Sequence, residues 1–229
     1  MNLIAKDKLL GDTFQPDAAM AQLFDTVATG PIVGISLPTG TMVYAATSFS
    51  LVCMAVLSRN TRMIPMTING ADPAAARNDM AITLLNGGAE YILFIDSDMT
   101  FPADALNRLL DHDLDIVGCD YRMRASPFER IGTYEPHMIQ PDEGLAERTL
   151  LGLGFLLVKR RVFEKLPSPW FQRVYEGRIF RTEDLFFCKN AIEAGFQIWC
   201  DLDLSKQVDH IGLQQVPWVI PKESVADEQ

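Results

Sequence analysis

Short apolar runs alternate with longer helical segments along the first half of the chain. The apolar runs are typical of strands and cover residues 31–37, 62–68, 91–95 and 115–119. The segments between them predict helices over residues 42–57, 73–86 and 102–110. Strand–helix alternation implies right-handed crossovers, so we predict an α/β fold with a twisted, mostly parallel sheet flanked by helices.

Local signals refine three of these elements. Pro65 lies inside the second apolar run, which predicts either an edge strand or an irregularity, because proline cannot donate to a sheet ladder. Asp72 followed by Pro73 is a typical helix start, and Gly87 with Gly88 predicts its end. The run from Met42 to Leu57 is too short to span a membrane and predicts a core helix.

The second half of the chain has weaker periodicity. Residues 121–149 predict a loop-rich excursion, whose Arg122, Arg124 and Arg130 either form a solvated surface or a flap near phosphates or acceptor. A strand over residues 149–158 is interrupted by Gly152 and Gly154, which indicates a bulge or a close approach by a ligand. The remaining predicted elements are short helices and one strand, at residues 161–166, 182–194 and 197–200.

Composition places the chain among globular proteins. Its 229 residues are most simply one domain, with a peripheral segment over residues 1–30 and an irregular tail over residues 213–229. A short amphipathic helix is predicted to start at Asp17 in the peripheral segment. The hydrophobic fraction of 48% and the mean hydropathy of +0.07 fit a packed core without a membrane span.

The net charge limits the classes of binding partner, and the cysteine pattern indicates the redox environment of the protein. The net charge of −10 argues against broad binding to nucleic acid or anionic lipid, although a local basic groove, and nucleic acid as an acceptor, stay open. The four cysteines form no C-x-x-C pair, and three lie in apolar stretches. This pattern predicts buried reduced thiols and a cytoplasmic location.

The most informative stretch is the third apolar run, which ends in Asp96-Ser97-Asp98. On a continuing strand the two aspartates point to the same side of the backbone, at the carboxyl end where open α/β sheets bind ligands. Two hard carboxylates there suit a divalent cation, and such a cation suits a diphosphate. The alternative is that one aspartate caps the next helix, but Pro102 fits the first helical turn and shifts the cap to Thr100 or Phe101.

The order of motifs resembles the nucleotide-sugar glycosyltransferases of the A-type fold, and most closely their large inverting family. The likeness covers about residues 31–212 and rests on the apolar strand into Asp-x-Asp, the Gly152-x-Gly154-Phe strand, Glu183-Asp184 at a helix start, and His210-x-Gly. Each motif is short, so the order and spacing carry the resemblance. It implies a Rossmann-like sheet with a small second sheet near the acceptor site, and a nucleotide-sugar-binding half (31–120) before an acceptor and catalytic half (121–212).

The same resemblance implies roles for individual residues. Asp98 would bind a Mn²⁺ or Mg²⁺ ion directly, Asp96 would face the ribose or the metal shell, and His210 would be the third protein ligand. Asp184 would be the general base for the acceptor hydroxyl. The other implied residues are Arg77 and Asn78 near the nucleotide, and Gly152, Gly154 and Glu183 on the acceptor side. The chain departs from the family in one place: for the acidic residue that often reads the base, the candidates are only Asp72 or none, so the choice between uracil and guanine stays open.

Elementary chemistry supports part of this assignment and leaves alternatives. A cation that bridges phosphate oxygens stabilises a leaving nucleoside diphosphate, and one base suffices to activate the acceptor. His210 is otherwise an ordinary histidine, and the acids Glu183 and Asp184 are otherwise first-turn residues favoured by the helix dipole.

Two other classes of protein stay open. A nucleotidyltransferase of related fold would need a basic Gly-rich loop after the first strand, where this chain has Leu37-Pro-Thr-Gly-Thr-Met. A noncatalytic nucleotide-sugar-binding module would bind the donor without turning it over. The expected function is a metal-dependent transfer of a sugar from a nucleoside-diphosphate sugar to a hydroxyl acceptor with inversion.

Overall fold

The computed structural model describes residues 30–58, 60–124, 129–138, 140–176, 179–212 and 215–216. The helix predicted after Asp17 and most of the predicted tail lie outside the described residues.

Twelve strands and six helices are described. The strands are β1 (Ile32–Thr39), β2 (Arg62–Asn69), β3 (Tyr91–Ile95), β4 (Met99–Thr100), β5 (Ile116–Gly118), β6 (Leu145–Arg148), β7 (Phe155–Lys159), β8 (Val174–Glu176), β9 (Ile179–Arg181), β10 (Ile198–Asp201), β11 (Asp209–Ile211) and β12 (Gln215–Val216). The helices are α1 (Ala45–Leu57), α2 (Pro73–Asn86), α3 (Ala105–Asp111), α4 (Arg160–Lys165), α5 (Glu183–Glu193) and α6 (Leu202–Ser205).

The central sheet has seven strands in the order β2-β1-β3-β7-β5-β10-β6. Strands β1, β2, β3, β5 and β10 run in one direction, whereas β6 and β7 run in the other. The prediction of a mostly parallel sheet is therefore confirmed. Pro65 lies on β2 at the sheet edge, as predicted, where it faces Ile35 of β1.

Strand β3 lies inside the sheet and is buried on both faces. Ile92 and Phe94 point into a core formed with α2, α4 and α5, while Leu93 and Ile95 point into a second core formed with α1, α3 and α6. This alternation explains why its five residues read as one unbroken apolar run. The helices thus cover both faces of the sheet.

Helix α2 forms as its local signals predict. The Asp72 side chain accepts hydrogen bonds from the backbone N–H groups of Ala74 and Ala75, and Pro73 occupies the first turn. Gly87 follows the last turn, and Gly88 has φ of +92°, a conformation that favours glycine. The helix packs its inner face on the sheet through Met80 and Leu84.

Three sequence predictions need correction. Helix α1 is not a core helix: it buries Met54 and Thr47, but Phe49, Val52 and Val56 are exposed. The predicted strand over residues 149–158 is shorter than expected: β7 starts at Phe155, and residues 149–154 lie outside it. Strand β7 runs antiparallel to its neighbours β3 and β5. Helix α3 begins at Ala105 rather than Pro102, so its N-cap is Asp104 and not Thr100 or Phe101.

A second, small sheet lies beside the central one. It consists of β4, β11 and β12, with β11 in the middle and antiparallel to both neighbours. A further hairpin joins β8 and β9. Among the helices in the described ranges, none is long and apolar enough to cross a membrane. The four cysteines are free thiols, of which Cys119, Cys188 and Cys200 are buried.

Candidate functional site

The turn Asp96-Ser97-Asp98 leaves the carboxyl end of β3 and is held in place from three sides. The Asp96 backbone N–H donates to the Gly154 carbonyl at 3.1 Å. The Ser97 carbonyl accepts from the backbone N–H of Tyr44 and from the buried hydroxyl of Thr47, each at 3.1 Å. The Asp98 carbonyl accepts from the Ile211 N–H at 2.7 Å. The backbone of this turn is therefore fixed, and so are the positions from which both carboxylates project.

Asp96 pairs with a buried arginine. One guanidinium nitrogen of Arg77 lies 2.6 Å from Asp96 Oδ1, and the other terminal nitrogen lies 2.7 Å from Glu183 Oε1. Arg173 extends the network, with its Nε 2.9 Å from Glu183 Oε2 and its Nη1 3.1 Å from Asp72 Oδ2. Burial acts to lower the pKa of Arg77, but Asp96 and Glu183 outweigh it and leave the pKa raised. A buried charge is tolerable only when it is paired in this way.

Asp98 makes a separate set of contacts. Its Oδ1 lies 3.4 Å from Nε2 of His210, and its Oδ2 accepts a hydrogen bond of 2.6 Å from Arg124. Burial acts to raise the pKa of Asp98, but His210 and Arg124 outweigh it, so the pKa is lowered. The side chains of Asp98 and His210 are about equally buried, with 10% and 11% exposed.

The contact of His210 Nδ1, on the side of the ring away from Asp98, determines which ring nitrogen carries a proton. Nδ1 lies 3.1 Å from the Arg122 carbonyl oxygen, which can only accept, so Nδ1 carries a proton. In the neutral ring Nε2 is then a lone pair that faces an oxygen of Asp98. Two acceptors in that position must share either a proton or a cation.

This arrangement fits a divalent cation. An imidazole nitrogen oriented by a backbone carbonyl, next to a carboxylate oxygen, is a usual pair of metal ligands. Asp96 does not complete a three-residue cluster with them, because its carboxylate turns to Arg77. No group of three or more His, Cys, Asp or Glu side chains in the described part of the chain is placed to hold a metal ion. Asp98 and His210 would therefore supply two ligands, and the remaining ones would come from phosphate oxygens and water.

Tyr121 packs against the glycine pair and the His210 ring. Its hydroxyl accepts the Gly154 N–H at 2.8 Å, and its ring packs edge-on against His210 with centroids 5.4 Å apart. A Cβ atom at Gly152 or Gly154 would lie 2.4 Å from this hydroxyl, so both positions require glycine. Burial, followed by the charge of Asp96, raises the pKa of Tyr121 well above its ordinary value.

Asp184 lies at the amino end of α5, next to Glu183. Its Oδ1 accepts from the Leu185 N–H at 2.9 Å and from the Thr182 hydroxyl. The side chain is half-buried, and its charge contributes to the raised pKa of Tyr121, after burial and the charge of Asp96. Because both hydrogen bonds fall on Oδ1, Oδ2 is the atom suited to accept a proton.

Two predicted nucleotide-binding residues have structural partners. The Asn78 amide donates to the carbonyls of Ala74 and Phe171 and accepts from the backbone N–H groups of Trp170 and Phe171. Its side chain therefore joins α2 to the loop at residues 170–171. Asp72 caps α2 and pairs with Arg173.

Sequence reasoning missed several residues of this region. Tyr121 and Asp120 follow β5 as Asp96 follows β3, so their position at a strand end was the available signal. Asp120 is buried and its Oδ1 accepts the Gly132 N–H; burial raises its pKa. Arg173 gave no local signal, because its contacts with Asp72 and Glu183 depend on tertiary structure.

Comparisons with known proteins bear on the fold alone. No protein-family model matches the chain, and no curated protein matches it. Among solved structures, the chain is similar to A197 from STIV, with a TM-score of 0.54 over 79% of this chain and 85% of that one. The sequence identity is 14%. At that identity the similarity shows a common α/β architecture with a sheet flanked by helices.

Proposed function

We propose that the protein is a metal-dependent glycosyltransferase, which moves a sugar from a nucleoside-diphosphate sugar to an acceptor hydroxyl with inversion. The observation that carries the proposal is the Asp98–His210 pair at the carboxyl end of the parallel strands, with Asp98 Oδ1 and His210 Nε2 3.4 Å apart. Asp98 and His210 would hold Mn²⁺ or Mg²⁺, and the bound cation would stabilise the charge that develops on the leaving diphosphate.

The remaining residues of the site have distinct tasks in this proposal. Asp184 would take the proton of the acceptor hydroxyl at Oδ2, which favours direct displacement at the anomeric carbon. Glu183 and Arg77 would keep the amino end of α5 in register with the turn after β3. Gly152, Gly154 and Tyr121 would form the wall of the site next to Asp96, on the acceptor side. Asp96 would face the ribose from its ion pair with Arg77.

Screening nucleotide sugars with and without Mn²⁺ tests the proposal. Specific binders raise the melting temperature by mass action, so the donor should do so only when the metal is present. The same donors are then incubated with a panel of hydroxyl acceptors, and released nucleoside diphosphate is measured. Metal-dependent binding without any turnover would favour the noncatalytic module, and release of pyrophosphate from a nucleoside triphosphate would favour the nucleotidyltransferase.

A further inference from the structure

Arg124 is a positive charge bound to the same carboxylate, Asp98, that would bind the metal ion. Its guanidinium donates to Asp98 Oδ2 at 2.6 Å, while the other oxygen of the same carboxylate faces His210. The Arg124 side chain is 55% exposed, whereas that of Asp98 is only 10% exposed. The arginine therefore covers the carboxylate from the solvent side.

A divalent cation that bound to Asp98 and His210 without a diphosphate would leave an excess of positive charge beside Arg124. Asp98 carries one negative charge, and Arg124 already neutralises it. A cation beside Oδ1 would stand close to the guanidinium in a half-buried place, where like charges repel strongly. A diphosphate supplies the missing negative charge, and a planar guanidinium is well suited to phosphate oxygens.

We propose that Arg124 is a diphosphate-binding residue that pairs with Asp98 until the metal ion and the diphosphate arrive together. Arg124 then exchanges the Asp98 carboxylate for phosphate oxygens of the donor. It thereby makes metal and diphosphate binding mutually dependent, and it opposes the binding of metal alone. This inference rests on the proposed function, because it takes Asp98 and His210 as the metal ligands.

If Arg124 moves from Asp98 to the phosphates, replacing it should strengthen the binding of Mn²⁺ alone and weaken the binding of nucleotide with Mn²⁺. Arg124→Gln removes the competing charge, so without nucleotide this variant should bind Mn²⁺ at least about 5-fold more tightly than the wild type does. The same substitution removes a phosphate contact, so UDP, GDP or ADP should bind about 10-fold more weakly in the presence of Mn²⁺. Both factors lie within the usual range of coupling between two ligands. A surface ion pair without a binding role would not produce this reversal.

Isothermal titration of Mn²⁺ into the full chain, with and without UDP, GDP or ADP, measures both effects. The solution complex between Mn²⁺ and each nucleotide is subtracted. Arg124→Lys keeps the charge and should retain weak binding of Mn²⁺ alone, with part of the coupling restored. Arg161→Gln is the matched control, because Arg161 pairs with Asp115 just before β5, at the opposite end of the sheet.

The outcomes separate this inference from the proposed function. Tighter Mn²⁺ binding together with weaker nucleotide binding in Arg124→Gln supports it. Two results would overturn this inference and leave the proposed metal site intact. In the first, Arg124→Gln does not change the Mn²⁺-dependent affinity for the nucleotide. In the second, it changes that affinity in the same direction as the affinity for Mn²⁺ alone. Failure of Mn²⁺ to support binding of any of these nucleotides in the wild type contradicts the proposed function, and this inference with it.

Discussion

Arg77 Nη1 lies 2.7 Å from Glu183 Oε1, and this contact joins α2 to the amino end of α5. The same arginine reaches Asp96 at 2.6 Å, so one buried cation connects the helix that carries Asp184 with the turn that carries Asp98. The distance between the proposed base and the proposed metal ligand thus depends on a residue that touches neither.

Glu183→Gln should destabilise the fold in a pH-dependent way. Burial acts to raise the pKa of Glu183, but Arg173 and Arg77 outweigh it, so the folded pKa is lowered. A lowered carboxyl pKa contributes stability that is complete above the unfolded value of about 4.3 and is lost as pH falls through the folded value. We expect a loss of about 2 kcal/mol at pH 7, since the hydrogen bonds involve charged groups. The loss should shrink at pH 3.

Urea unfolding of both proteins at pH 7 and pH 3 measures this loss. Glu164→Gln is the matched control, because Glu164 is 60% exposed and pairs with Arg160 at 3.6 Å. An exposed pair of that kind contributes about 0 to 1 kcal/mol. Equal losses for the two variants, or a loss for Glu183→Gln that does not change with pH, would show that the network does not stabilise α5.

Asp184→Asn should abolish most transfer while leaving donor binding intact. Asparagine keeps the hydrogen bonds to the amino end of α5 through its amide oxygen, but it cannot take a proton. We expect the transfer rate to fall by about 10² to 10⁴, the usual contribution of a general base. Steady-state transfer with saturating donor, together with Kd for the donor, separates the two effects.

Thermal unfolding of Asp184→Asn provides the control for a mere dipole effect, which would cost about 0.3 to 1 kcal/mol. The anomeric configuration of the product adds an independent readout. A mild loss of activity that parallels the loss of stability would remove Asp184 from the chemistry, and so would a product with retained configuration.

Gly154→Ala should disturb the site by steric overlap. The new Cβ would lie 2.4 Å from the Tyr121 hydroxyl and 3.1 Å from Asp96 Oδ2. Overpacking of this kind costs about 1 to 3 kcal/mol, and donor binding should weaken because Asp96 must move. Gly40→Ala is the matched control, since its Cβ would meet no atom within 4 Å. Melting temperatures that fall equally in both variants would contradict the close packing of Tyr121 against Gly154.

Predictions from sequence succeeded where the signal was local. Helix α2 has its cap, its proline and its terminal glycines within a few residues of its ends, and β3 is a continuous apolar run. Strand β6 was missed because its four residues form a strand only by pairing with β10, far along the chain. Residues 149–154 were assigned to a strand from their apolar composition, whereas the close contact with Tyr121 that explains their glycines is tertiary.

The site was predictable in outline only. Asp96 and Asp98 could be placed at a strand end, because an apolar strand precedes them. The partners of these aspartates could not be predicted, since Arg77, Arg124 and His210 come from three different segments. Glu183 looked like an ordinary first-turn acid, although it is buried between two arginines.

His210→Ala should weaken Mn²⁺-dependent nucleotide binding less than Asp98→Asn does. A neutral imidazole contributes less charge to a cation site than a carboxylate does, although it is an equally direct ligand. Calorimetric titration of both variants with Mn²⁺ and UDP or GDP gives the order. Mn²⁺ dependence in His210→Ala that equals the wild type would mean that His210 and Asp98 share a proton instead of a metal ion.

The Mn²⁺ dependence of UDP and GDP binding to the wild type and to Asp98→Asn tests the metal-dependent diphosphate site most directly. Asparagine keeps the size of the side chain, and Asp111→Asn, at an exposed position, controls for the loss of one negative charge. The account predicts that Mn²⁺ strengthens nucleotide binding in the wild type and in Asp111→Asn, and that Asp98→Asn loses most of this effect while it stays folded. Nucleotide binding that is independent of Mn²⁺ in the wild type, or equally dependent on it in Asp98→Asn, would contradict the account.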